Sequence, residues 1–276
     1  MGLLTFTEEV KIPVPWGYVC GKLWGSKENQ PIVAIHGWLD NAGTFDHLLP
    51  FITDRVSVLC IDLPGHGLSS HYPKVSNESF LPSINQNGII SGSIFILKNS
   101  VAPIAYNTDA KFADFQGDTI LKFLRYDAIP PNPGPHGSLK ELQDICIDAH
   151  KGSLTEESAK TLLIRGASRV RDDVYKFNRD LRLMSGFIHP PSFELIQVYA
   201  TRIKCNYLNI RAEFFTDERL EKYDLILDII RKSARNFKFV QETGPHHVHM
   251  NEPQRIAVTI NQFLFSCVND EDEEYF

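Results

Sequence analysis

The residues of this chain best suited to chemistry form the run Gly244-Pro245-His246-His247-Val248-His249. Imidazole titrates close to neutral pH, so a loop histidine can take a proton from a nucleophile held within hydrogen-bond reach. A metal site built from His246, His247 and His249 is the rival reading. No matching ligand cluster accompanies them, so no metal is expected. Two glycine-bearing turns are also of interest, His36-Gly37-Trp38 and Asp62-Leu63-Pro64-Gly65-His66-Gly67, each directly after a short apolar run. Gly37 allows the backbone to turn sharply there.

Such turns need strands to hold them. Ile32–Ile35 and Val56–Ile61 have the length and β-branched content of buried strands. Between them Asp40 and Asn41 offer a helix N-cap, and Phe45, Leu48, Leu49 and Ile52 fall at helical spacing. Strand, helix and strand in that order predict a right-handed βαβ unit. Upstream, residues 5–24 alternate and turn once at Pro15-Trp16-Gly17, which predicts an antiparallel edge hairpin. Pro130, Pro131, Pro133 and Pro135 then mark a boundary, followed by helical patterns over Ser138–His150, Thr155–Arg165 and Ser168–Val174. Further on come a strand at Cys205–Ile210, a helix at Arg219–Arg235, a last strand at Phe237–Gln241 and a helix at Pro253–Phe265.

The runs HGWLDNA (36–42), DLPGHGLSS (62–70), FNRDLRL (177–183) and GPHHVHMNEP (244–253) resemble the α/β-hydrolase fold, and within it the serine hydrolase-like (kraken-type) family. The resemblance covers about residues 5–71 and 120–265. It implies an α/β class: a mostly parallel sheet with helices on both faces and an inserted helical lid. The expected division is a core of 1–128 and 197–268, a lid of 129–196 over the C-terminal ends of the strands, and an acidic tail of 269–276. The FNRDLRL run reads as a salt-bridge segment between lid and core. The implied reaction is hydrolysis of a small ester-like substrate. A serine attacks, His246 (seven residues before Pro253) is the general base, and the Trp38 N–H, on the turn that Gly37 permits, stabilises the oxyanion. Thr119–Ala128 resembles a core strand ending in Asp127, which makes Asp127 one candidate for the acid that orients His246. After Cys205–Ile210 the family pattern is a glycine and then an acid. Here Ala212 replaces the glycine and Phe215 stands near the acid's place, leaving Glu213 as the alternative and Asp217 beside it.

The nucleophile is missing. An elbow needs small residues two before and two after it, because the strained strand-to-helix turn crowds the backbone. No G-x-S-x-G occurs. Ser91 has Ile89 two before it, and Ser93 has Phe95 two after it. Ser79, Ser83 and Ser100 also lack small residues on both sides, and no cysteine lies between Cys60 and Cys146. Asp109, Asp114 and Asp118 do not sit in an elbow either. Residues 72–118 are atypical: charges thin out after Ser76, and Pro82, Gly88, Gly92 and Pro103 interrupt any helix, although Ile89–Leu97 reads as a strand. The distance from His66 to Asp127 suits the family while the motif is lost, which points to a divergent, alternatively spliced or mis-predicted segment. Two functions follow. One is a hydrolase impaired by loss of its nucleophile; the other is a non-catalytic binding or regulatory protein that uses the inherited pocket. A chain that folds poorly for want of its elbow strand is a third outcome.

Composition narrows the partners. A net charge of −6 gives no reason to expect nucleic acid or an anionic membrane. No apolar run approaches the roughly 18 residues of a membrane span. The first residues lack the pattern of a signal peptide, and Thr5 is one place short of a myristoylation motif built on Gly2. Five cysteines without CxxC spacing suit a reduced, intracellular setting, expected to be cytoplasmic, with a peroxisomal location as the alternative although Glu-Tyr-Phe is not a peroxisomal address. The expected partner is a small-molecule substrate or ligand, with no cofactor.

Overall fold

The computed structural model describes residues 2–74, 96–97, 109–129, 134–186, 191–212 and 217–272. Strands β1 (Phe6–Val14) and β2 (Gly17–Trp24) form the antiparallel hairpin that the alternation predicts. β3 (Ile32–Ile35) and β4 (Val58–Ile61) run parallel, with Ala34 opposite Cys60, as a βαβ unit requires. A two-residue strand, β5 (Ile96–Leu97), pairs parallel with the other edge of β3. The rest of the strand expected at Ile89–Leu97 lies outside the described residues. The resulting sheet has the order β1-β2-β4-β3-β5.

The connection between β3 and β4 is not one helix. Two 3-10 turns, Ala42–Phe45 and Leu49–Phe51, replace it, the first capped by Asn41. Pro50 explains the break, since it has no N–H to donate to residue 46 and its ring crowds the preceding turn. The apolar face survives: Phe45, Leu48, Leu49 and Ile52 are each at most 2% exposed, worth about 1.5–3 kcal/mol apiece in burial.

α1 (Asp109–Ala128) corrects the strand expected at Thr119–Ala128. Phe115, Thr119, Phe123 and Asp127 turn inward at intervals of four, whereas Ile120, Leu121 and Leu124 are exposed. That period is helical, and a strand would have needed alternation. β6 (His136–Gly137) leads into α2 (Leu139–Ala149), which opens with a capping box of Ser138 and Glu141. α3 (Glu156–Gly166) is capped by Thr155. The helix expected at Ser168–Val174 is instead a hairpin of β7 (Ala167–Arg171) and β8 (Val174–Phe177). Asp172-Asp173 supplies its turn, with Asp173 at φ 52, a conformation that aspartate tolerates better than most residues.

α4 (Phe193–Ala200) precedes β9 (Tyr207–Ala212), α5 (Asp217–Ser233) and β10 (Phe237–Glu242). β9 and β10 pair in parallel, separate from the five-stranded sheet among the described residues. α6 (Val248–Asn251) and α7 (Pro253–Asp272) are the last described elements. One core joins these parts: Ile256, Ala257, Ile260 and Leu264 of α7 pack with Ala34, Val58 and Cys60, and Leu208, Ile210 and Ala212 of β9 close against them. No described helix is long and apolar enough to cross a membrane.

Candidate active site

The loops after β3 and β4 are tied together by two histidines. His36 is 3% exposed; its Nδ1 donates to the Gly37 carbonyl at 2.7 Å, and its Nε2 accepts the Leu63 N–H at 3.0 Å. His66 repeats the pattern, with Nδ1 to the Pro64 carbonyl at 3.1 Å and the Leu39 N–H to Nε2 at 3.3 Å. Each ring must therefore be neutral with its proton on Nδ1. Burial first, and His36 second, push the His66 pKa down to about 4. These bonds set the course of Gly37-Trp38-Leu39, where Leu39 adopts φ 60, and the Trp38 ring meets His66 edge-on at 5.8 Å. Sequence reasoning quoted both histidines but gave neither a role.

Beneath the loops lies Asp62, 0% exposed. Its carboxylate accepts the Ala42 N–H at 2.8 Å and the Leu68 N–H at 2.9 Å, and it pairs with Arg165 of α3 at 2.8 Å. Arg165 also reaches Glu9 of β1 at 2.6 Å. Burial opposes the Arg165 charge, but the two carboxylates outweigh burial and raise its pKa. Gly67 (φ +51) is required here, because a Cβ would stand 2.3 Å from the Asp62 carboxyl carbon. Asn41 extends the network by donating from Nδ2 to the Leu162 carbonyl at 2.9 Å.

The three histidines of the C-terminal loop part company. His246 is exposed, with its ring 4.9 Å from that of His247. His247 is 2% exposed and shares a 2.7 Å hydrogen bond between Nδ1 and the Ser153 hydroxyl. His249 Nε2 meets the Thr44 hydroxyl at 2.9 Å. Arg255 braces the loop, donating to Glu242 at 2.7 Å and to the Thr243 carbonyl at 2.6 Å. Asn251 joins it to the segment between α2 and α3 through the Ser153 carbonyl at 3.0 Å, and to α3 itself through the Ser158 hydroxyl at 2.8 Å. Among the described residues, no group of three His, Cys, Asp or Glu is arranged to hold a metal.

Asp127 sits on α1, and its carboxylate pairs with Arg182 at 2.9 Å. Arg182 also holds Asp180 at 2.7 Å and donates to the carbonyls of Tyr72 and Pro73. Burial alone would raise the Asp180 pKa; the bonds from Arg182 reverse this and lower it. The FNRDLRL run is therefore an ion-pair segment, and it meets Asp127 on a helix rather than at a strand end. Glu213 lies outside the described residues. The structure thus brings the Gly37-Trp38 turn and the His246 loop around the same set of 3-10 turns, through His249 and Thr44. It ties Asp127 to Arg182.

A parallel sheet with an antiparallel leading hairpin, a β3 turn of the HGW type and a histidine loop ahead of the last helix define an α/β-hydrolase-fold protein. Comparison with solved structures agrees. A hypothetical protein from Pseudomonas aeruginosa PAO1 superposes with a TM-score of 0.73 at 19% identity, covering 94% of this chain and 98% of the other. A thioesterase domain from the curacin biosynthetic pathway does so with a TM-score of 0.65 at 19% identity, over 93% and 99%. No protein-family model matches the chain. A Drosophila melanogaster protein named "Probable serine hydrolase" is 33% identical over 93% of this chain and 87% of its own length. The human "Serine hydrolase-like protein 2" is 28% identical over 93% of each. The chain belongs to the serine hydrolase-like family.

Proposed function

We propose that this chain holds a small ester-like ligand at the C-terminal ends of β3 and β4 and hydrolyses it slowly or not at all. The reaction inherited with the family would have a serine attack the carbonyl, His246 take the serine proton, and the Trp38 N–H stabilise the oxyanion. One observation carries the reading: the HGW turn and the histidine loop are kept, while no serine or cysteine stands between small residues at the spacing an elbow needs. Loss of the nucleophile removes most of the covalent route, leaving oxyanion stabilisation and binding. Asp127 would have to leave Arg182 to orient His246, which favours Glu213, just beyond β9, as the acid. In this reading residues 129–196 are the lid, residues 1–128 and 197–268 are the core, and the protein works in the cytoplasm.

The absent nucleophile equally supports a pure binding or regulatory role, with the ligand as its signal. Turnover of p-nitrophenyl acetate and butyrate by the full chain, measured beside thermal shift with the same esters, tests the proposal. A raised melting temperature with no His246-dependent turnover is expected. Turnover that disappears in His246→Ala would overturn it.

A further inference from the structure

Arg179 differs from the other structured arginines around the site. Arg165 is balanced by Asp62 and Glu9, Arg182 by Asp180 and Asp127, and Arg255 by Glu242 and Glu252. Among the described residues, no carboxylate or carbonyl accepts a hydrogen bond from the Arg179 guanidinium. Its one close partner is the Phe177 ring, with Cζ 4.2 Å from the centroid. The side chain is half-buried.

The backbone on either side of it is fixed. Asn178 donates its N–H to the Gly166 carbonyl at 2.8 Å and its Nδ2 to the Arg165 carbonyl at 2.7 Å. Asp180 donates its N–H to the Gly65 carbonyl at 2.8 Å, on the turn just beyond β4. Arg179 is therefore held at the C-terminal end of a parallel strand, where ligands bind in open α/β sheets. The titrating group it feels is Cys146 of α2, which also feels Asp40 on the loop after β3. Cys146 is 8% exposed and burial pushes its pKa up to about 11, so at neutral pH it is an uncharged thiol and no counter-ion. Burial correspondingly lowers the Arg179 pKa. A partly desolvated cation with five N–H donors and, among the described residues, no hydrogen-bond acceptor costs stability that the one aromatic face of Phe177 offsets only in part.

We propose that Arg179 is an anion subsite, and that the ligand of this protein carries a carboxylate at a distance from its ester group. One guanidinium balances one negative charge, and its planar fork matches the two oxygens of a carboxylate. The proposal rests on the binding role given above and adds the ligand class to it.

Isothermal titration of the full chain with monomethyl glutarate, dimethyl glutarate and methyl phosphate tests this, in wild type and in Arg179→Gln. Wild type is expected to bind the half-ester about 10- to 100-fold more tightly than the diester, the range of a charge-assisted hydrogen bond. Arg179→Gln should erase that preference while keeping or raising the melting temperature, because it removes an unbalanced charge. Equal binding of half-ester and diester, or a preference that survives in Arg179→Gln, would overturn the subsite and leave the ester-binding role standing. Tighter binding of methyl phosphate would overturn the carboxylate assignment. Binding of none of the three by folded protein would overturn both. A melting temperature several degrees lower in Arg179→Gln would make the residue structural and likewise overturn the subsite.

Discussion

Replacing Asp62 by alanine removes a group that joins four parts of the molecule: the first 3-10 turn, the loop after β4, α3 and, through Arg165, β1. The carboxylate is fully buried and the Arg165 side chain is 3% exposed. Breaking such a pair from one side costs about 3–5 kcal/mol, because a buried charge is left behind. The N–H groups of Ala42 and Leu68 also lose their acceptor, at about 1–3 kcal/mol each where water does not replace it. Glu9 keeps its bonds to Arg165 and offsets part of this, since it is half-exposed and can follow the guanidinium. A net loss of at least about 4 kcal/mol is expected, against total stabilities of about 5–15 kcal/mol for native domains. The double variant Asp62→Leu, Arg165→Met removes both charges and should recover part of the loss. Urea unfolding followed by tryptophan fluorescence gives the midpoints. Asp62→Ala within about 1 kcal/mol of wild type would refute the reasoning, which holds the strand-end loops in place through this carboxylate.

Two further predictions follow from the same bonds. His66 has a folded pKa of about 4 against an ordinary 6.5, so the unfolded chain binds its proton first as pH falls. The stability it contributes is complete above pH 6.5 and is lost by up to about 3 kcal/mol on acidification to pH 4; nitrogen-15 shifts of the ring should show it neutral at pH 5, and a charged ring there would contradict the assignment. Arg182→Met frees Asp127 and the Tyr72 and Pro73 carbonyls, so amide exchange across residues 115–128 should quicken at least tenfold while β3 and β4 stay protected.

How far the sequence could be read depended on whether each signal was local. The β3 and β4 strands and the leading hairpin announce themselves through short β-branched runs and alternation. Residues 119–128 resemble a core strand, but the four-residue period of Phe115, Thr119, Phe123 and Asp127 is the signal that the fold follows. Ser168–Val174 has a helical pattern, and Asp172-Asp173 is the turn signal that divides it into a hairpin. Pro50 is the local signal that divides the helix expected after Asn41. The remaining misses were long-range. Asp62 and Arg165 stand 103 residues apart, and His247 and Ser153 stand 94 apart. No local pattern joins such pairs, so the network beneath the loops and the separate paths of His246, His247 and His249 emerge only with the fold. Arg179 is legible as a residue of the FNRDLRL run, but its lack of a counter-ion among the described residues is not.

The central claim is that this hydrolase fold keeps its histidine loop and HGW turn without a nucleophile for them to serve. Incubating the full chain with a broad serine-reactive fluorophosphonate, then measuring intact mass, tests it most directly. The account predicts an unchanged mass for folded protein, in wild type and His246→Ala alike. A single stoichiometric adduct on one serine, lost in His246→Ala, would contradict it and place a working nucleophile outside any elbow the sequence displays.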